Sequence, residues 1–101
     1  MKAMKRHDES IVEMLRDDPA FAEEYLLAAT DEMDKPGGEA ALFIALRHVA
    51  EARGGMARVA KKARLSRESL YRALSARGNP SVRTMNAVLR AAGFKLAIRA
   101  G

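Results

Sequence analysis

The sequence predicts an all-α fold, a bundle of five to six helices that contains a helix-turn-helix and ends in one short C-terminal β-strand. Three observations carry that expectation. Apolar residues recur at three- and four-residue steps along most of the 101 residues. Capping and helix-breaking residues punctuate the pattern at Asp18-Pro19, Lys35-Pro36-Gly37-Gly38, Gly54-Gly55 and Gly78-Asn79-Pro80. Only after Gly93 does the period shorten to two.

The elements come in order within one expected domain, 1–101. Residues 1–18 form an N-terminal arm or short helix, amphipathic from Asp8 to Arg16, with Ile11, Met14 and Leu15 at helical spacing and acids at its start, where the helix dipole favours them. Residues 19–54 form an acidic two-helix segment. Asp18 and Pro19 suit the N-cap and first position of a helix that carries Phe21, Tyr25, Leu26, Ala29 and Met33 on one face. A second helix, from about Glu39 to Arg53, bears a wide stripe of Ala41, Leu42, Ala45, Leu46, Val49 and Ala52, and Gly54-Gly55 closes it.

Residues 55–93 hold the helix-turn-helix and a following helix. Met56 to Ala63 and residues 67–77 are the paired short helices; Ser81 caps the last, with Val82, Met85, Val88, Leu89 and Ala92 facing inward. In 94–99, Phe94, Leu96 and Ile98 share one face of a strand. A lone strand leaves its backbone donors and acceptors unpaired, so these three residues are expected to pair with a second copy or with a partner's sheet edge.

Composition narrows the function classes. No cysteine is present, so neither a disulfide nor a thiolate metal site is available. The start, MKAMKRHDES, lacks an apolar core and no stretch approaches the ~20 residues of a membrane span, so a cytoplasmic protein is expected. The two histidines, His7 and His48, have no metal-ligand spacing and no glycine-rich phosphate loop accompanies them. Hence no catalytic residue, metal or cofactor is assigned, an enzyme is not expected, and His48 is given a structural role. The net charge of +5 divides unevenly. Residues 1–50 hold six Lys/Arg and eleven Asp/Glu, net −5, whereas residues 51–101 hold twelve Lys/Arg and two acids, net +10. A basic half suits a polyanion and an acidic half a basic partner, so two surfaces with different tasks are expected.

The segment KKARLSRESLYRAL, residues 61–74, carries the chemistry. Two short helices at a steep angle let the second enter the major groove while the first braces it. Ala60 and Ala63 are small where helices approach, Leu65 plugs the corner, Ser66 caps, and Leu70 and Leu74 anchor the second helix. Arg67 and Arg72 are assigned to base reading, since a guanidinium bonds guanine O6 and N7 in bidentate fashion, with Glu68 accepting from cytosine or orienting an arginine. Lys61, Lys62, Arg64, Ser66, Ser69, Tyr71, Arg77 and Asn79 are assigned to the DNA backbone. Arg64 stands where such turns commonly hold glycine, which implies an altered turn or a strain cost.

The stretch ARGGMARVAKKARLSRESLYRALSARGNPSVRTMNAVLRAAGFKLAI resembles the compact Xre-like, λ-repressor-type antidote proteins of bacterial addiction modules, a HigA-like group in which LSRESLYRALS, GNPS and a terminal GFKLAI-like strand occur in this order. DPAFAEEYLLAA and ALFIALRHVAEARGG are similar to that group as well, so the resemblance covers nearly the whole chain. It implies a λ-repressor-like bundle and an antitoxin of a type II toxin-antitoxin module. Its implied partners are a small basic RelE/ParE-like toxin and double-stranded operator DNA, through which it represses its own operon. It maps DNA reading onto Ser66, Arg67, Glu68, Ser69, Tyr71 and Arg72, and Arg64 is its departure. A homodimer is expected, because two-fold symmetric readers match palindromic half-sites. The alternative is a free-standing or phage-type Xre-like regulator without a toxin.

Overall fold

The computed structural model describes the backbone of residues 2–101 and the side chains of residues 7–101. Six helices run in order: α1 (Lys2–Asp17), α2 (Pro19–Asp31), α3 (Gly38–Ala52), α4 (Met56–Lys62), α5 (Arg67–Ala73) and α6 (Val82–Ala91). The radius of gyration, 12.9 Å, matches the ~13 Å of a compact chain of this length. Of the arm and the short helix expected near the N-terminus, the helix is present: α1 extends past Asp8–Arg16 at both ends and packs along α3.

Local chemistry sets the helix starts. The Asp18 carboxylate accepts from the Phe21 amide at 3.1 Å, with Pro19 supplying a first position that needs no amide proton. Ser66 and Ser81 cap α5 and α6 in the same way, accepting from the Ser69 and Thr84 amides at 3.0 Å each. Each such cap stabilises its helix by about 1 kcal/mol.

The helix ends are closed by the backbone. At α6, the Phe94 amide donates to Leu89 and the Gly93 amide to Arg90, with Gly93 in the left-handed region at φ 95°. At α4, the Leu65 amide donates to Ala60 and the Arg64 amide to Lys61, the same pair of bonds with Arg64 in glycine's place at φ 61°. The expected strain at Arg64 is present. A left-handed residue bearing a β-carbon costs roughly 1–2 kcal/mol.

Helix α3 is the hub. It packs against α1, α2 and α4, while α4 in turn carries α5 and α6. Surrounded in this way, α3 buries more of its circumference than one stripe. Phe43 and Ala50 are buried beside Leu42, Ala45, Leu46, Val49 and Ala52, whereas Ala41 is exposed. Leu15 from α1, Ala22 and Leu26 from α2, Val59 and Ala60 from α4, and Leu70 and Leu74 complete the same core. Burying a leucine of that kind stabilises by about 1.5–3 kcal/mol.

Several expectations are corrected. Residues 94–99 are not a strand, and no strand occurs among the described residues. The Phe94 amide is spent on the end of α6, its ring packs on the core, and among the described residues no strand is present to pair with residues 95–99. Phe94 packs on the core while Leu96 and Ile98 are exposed, so the three do not share one face. Helix α5 ends at Ala73 rather than 77, and α2 ends at Asp31, leaving Met33 exposed in the turn before Pro36. Met14 is exposed while Val12 packs in its place. Val82 is 78 % exposed, as the first residue of α6 lies about 70° from the face formed by Met85, Val88, Leu89 and Ala92.

Candidate nucleic-acid interface

The α4–α5 pair is joined by the turn Ala63-Arg64-Leu65-Ser66, and small residues set its closeness. Ala60 is buried and Ala63 packs against the core, so α5 sits close on α4 with Leu65 filling the corner. Leu70 and Leu74 are fully buried and point α5 inward along one line. With about 100° per residue, Glu68 and Arg72 then occupy the opposite, outward line, and both are exposed. Arg72 forms no ion pair within 4 Å among the described residues.

Arg67 is differently placed from Arg72. Five residues apart on a helix is about 140° of rotation, so the two guanidiniums leave α5 in different directions. Arg67 lies over the ring of Tyr71, 5.6 Å from its centroid, and Arg47 of α3 lies 5.5 Å from the same centroid. Tyr71 thus joins two cations and ties α5 to α3, a packing role beside the backbone contact expected for it.

The serines are partly committed. Ser66 Oγ accepts from the Ser69 amide and donates to Ser69 Oγ at 2.8 Å, leaving the Ser69 hydroxyl proton free. Arg77 and Asn79 are exposed in the α5–α6 connection. Lys61 and Lys62 diverge by about 100°: Lys61 is exposed, whereas Lys62 and Arg64 border a cleft between α4 and α6, together with Arg53, Arg58 and Arg90. The last three were missed from the sequence. Arg58 and Lys62 at i, i+4 were a readable signal; the approach of Arg53 and Arg90 was not.

The acidic half shows a second geometry. A groove of about 720 Å³ between α1 and α3, lined also by Tyr71, is bordered by Asp8, Glu9, Glu13 and Glu51 against Arg16 and Arg47. Beneath its edge, Tyr25 of α2, His48 of α3 and Asp8 of α1 are linked, Tyr25 Oη to Nδ1 at 2.7 Å and Nε2 to Asp8 Oδ1 at 2.9 Å. The carboxylate only accepts, so Nε2 carries a proton; in the neutral ring Nδ1 accepts from the tyrosine. Burial, and then the negative charge of Asp8, hold the Tyr25 hydroxyl above its usual range. His48, nearly buried beside the core, is thereby satisfied at both nitrogens.

No group of three or more His, Cys, Asp and Glu is arranged to hold a metal ion among the described residues, and no helix there is long and apolar enough to cross a membrane. A family model described as "Probable addiction module antidote protein" matches residues 4–100. Neither the curated proteins nor the solved structures contain a match to the chain.

Proposed function

The chain belongs to the family of "Probable addiction module antidote protein", and from that premise we propose that it is an antitoxin with two working surfaces. One surface binds and neutralises a small basic protein toxin; the other binds operator DNA and represses the chain's own operon. The observation that carries this reading is the way charge is distributed over the fold. The first 50 residues, net −5, supply α1, α2 and nearly all of α3, and the remaining residues, net +10, supply α4, α5 and α6.

For the toxin, opposite charge steers encounter and excludes wrong partners, and the acid-bordered groove between α1 and α3 offers room for basic side chains. For DNA, α5 is short, anchored by Leu70 and Leu74, and presents Glu68 and Arg72 outward. Arg72 is accordingly the first base-reading residue in this reading. Arg67, lying over Tyr71, reads from the flank or swings out on binding. A homodimer fits the same reading, since half-sites about 34–36 Å apart are matched by two copies of α5.

The test is binding to the promoter duplex upstream of the gene, with a scrambled duplex beside it. Arg72→Ala should lower promoter affinity by about 1–3 kcal/mol and narrow the gap between the two duplexes, with helical circular dichroism unchanged. An unchanged gap removes Arg72 from base reading. Equal affinity of the wild type for both duplexes removes sequence-specific repression. Co-expression with the product of whichever neighbouring gene encodes a small basic protein tests the toxin surface, which fails if the two proteins do not co-purify or if no such gene lies beside this one.

A further inference from the structure

Lys62 and Arg64 open onto a cleft of about 750 Å³ that is bordered by more positive charge than α5 and its turn account for. Five cations surround it: Arg53 at the end of α3, Arg58 and Lys62 on α4, Arg64 in the α4–α5 turn, and Arg90 in the last turn of α6. No Asp or Glu lines it, and none of the five is within 4 Å of a carboxylate among the described residues.

Helix ends explain only part of this. The C-termini of α3, α4 and α6 meet around the cleft, each equivalent to roughly −0.5 charge, so together about −1.5 against five positive groups. About +3.5 is left over. The terminal carbonyls do not need the side chains either, because Ala50, Ala60 and Leu89 already accept from the amides of Gly55, Leu65 and Phe94. Alanines at 87 and 91 keep the wall next to Arg90 low, so the space between the cations stays open.

Two of the arginines lie against neighbouring groups. The Arg53 guanidinium lies 5.1 Å from the centre of the Phe94 ring. The stem of Arg58 fills the space that a β-carbon on Gly54 would take, its Cδ only 2.6 Å from that point. Converging like charges repel, and holding them so costs stability unless an anion binds between them. Such a cleft is prepared for a ligand with three or four negative charges.

Position selects among polyanions. Arg64 borders the cleft and stands two residues before the Ser66 cap of α5, and after Glu68 the chain holds no acidic residue at all. No acidic residue stands between Arg64 and the Ser66 cap, and Glu68 is the one acid on α5, so positive side chains lead from the cleft to that helix. We propose that the cleft is a phosphodiester-binding site, in which Arg53, Arg58 and Arg90 with Lys62 and Arg64 clasp the DNA backbone beside the segment that α5 reads. This rests on the DNA-binding function proposed for α5 and adds three residues to it.

The test is fluorescence anisotropy with the promoter duplex and a scrambled duplex across salt, using the full chain and the exposed-site variants Arg58→Ala, Arg90→Ala and their double. Each lost phosphate contact should reduce the slope of log K against log salt by about 0.9, an effect of about 3.5-fold on the affinity lost between about 50 and 200 mM salt. Both duplexes should weaken alike, so that the preference between them is kept, and thermal melting of the free protein should not fall, since like charges are removed from the cleft. Wild-type binding with unaltered slopes in the double variant overturns the cleft assignment and leaves the DNA reading standing. No wild-type affinity for either duplex overturns both. Inorganic tripolyphosphate is the third arm: displacement of DNA by it, lost in the double variant, supports the site, and binding that leaves DNA in place assigns the cleft to a small anion instead.

Discussion

The Tyr25 hydroxyl lies 2.7 Å from Nδ1 of His48, across 23 residues of sequence, and the other ring nitrogen reaches Asp8 at 2.9 Å. One imidazole thereby joins α1, α2 and α3. The two ends of this chain of bonds differ in solvent access, since the Asp8 side chain is half exposed while the imidazole is buried. Removing the tyrosine hydroxyl strands a buried acceptor; removing the charge of Asp8 leaves a group that water can serve. Tyr25→Phe should therefore cost about 1–2 kcal/mol in urea unfolding, and Asp8→Asn no more than about 0.5 kcal/mol. The opposite ranking would show that the half-exposed Asp8 contact, not the tyrosine hydrogen bond, secures the acidic half.

Alkaline pH should expose the same group. Burial first, and Asp8 second, raise the Tyr25 pKa above the usual tyrosine value of 10.0, so the folded state holds this proton more tightly than the unfolded chain does. The resulting stability is complete below the unfolded value and is lost as pH climbs through the raised, folded value. Wild type should thus lose stability more steeply than Tyr25→Phe above about pH 10. Parallel curves for the two proteins between about pH 9 and 11 would exclude Tyr25 as the source, because every other titrating group is common to both.

Which features were legible in the sequence depends on how far apart their partners lie. The caps at Asp18, Ser66 and Ser81 bond amides three residues away, so residue type and position alone reveal them. Arg64 was legible too, because a two-helix corner of this length needs a left-handed residue and no glycine stands there. By contrast the Asp8–His48 contact spans 40 residues, and the cleft gathers arginines from α3, α4 and α6, so no local pattern announces either. Alternation at Phe94, Leu96 and Ile98 misled for the reverse reason. It is a local signal for an element that needs a distant partner, and the end of α6 had a prior use for Phe94.

Exposure of the tail has a measurable consequence. Phe94 is the last residue of the chain that packs on the core, and Leu96 and Ile98 beyond it are exposed, Ile98 completely. A chain ending at Lys95 should melt with the full-length protein, within about 0.5 kcal/mol. Phe94→Ala should cost about 2 kcal/mol, since it removes a half-buried ring, the contact with Arg53 and the hydrophobic closure of α6. A large loss on truncation would mean that the tail is held by contacts other than those of Phe94.

Arg64 sets stability against binding. Its backbone lies in the left-handed region at φ 61°, where the β-carbon costs roughly 1–2 kcal/mol, and its side chain borders the basic cleft. Glycine at 64 relieves the strain but adds unfolded-state entropy of about 0.5–1 kcal/mol, so Arg64→Gly should stabilise the fold by about 0.5–1 kcal/mol net. The same change removes a cation beside α5 and should weaken promoter and scrambled duplexes equally, with a shallower salt dependence. Arg64→Ala separates the two effects. It loses the charge but keeps the β-carbon, so it should bind as weakly as the glycine variant without its gain in stability. If the glycine variant is the more stable protein and binds DNA as well as wild type, the strain at Arg64 serves no nucleic-acid contact, and the turn owes its arginine to something else.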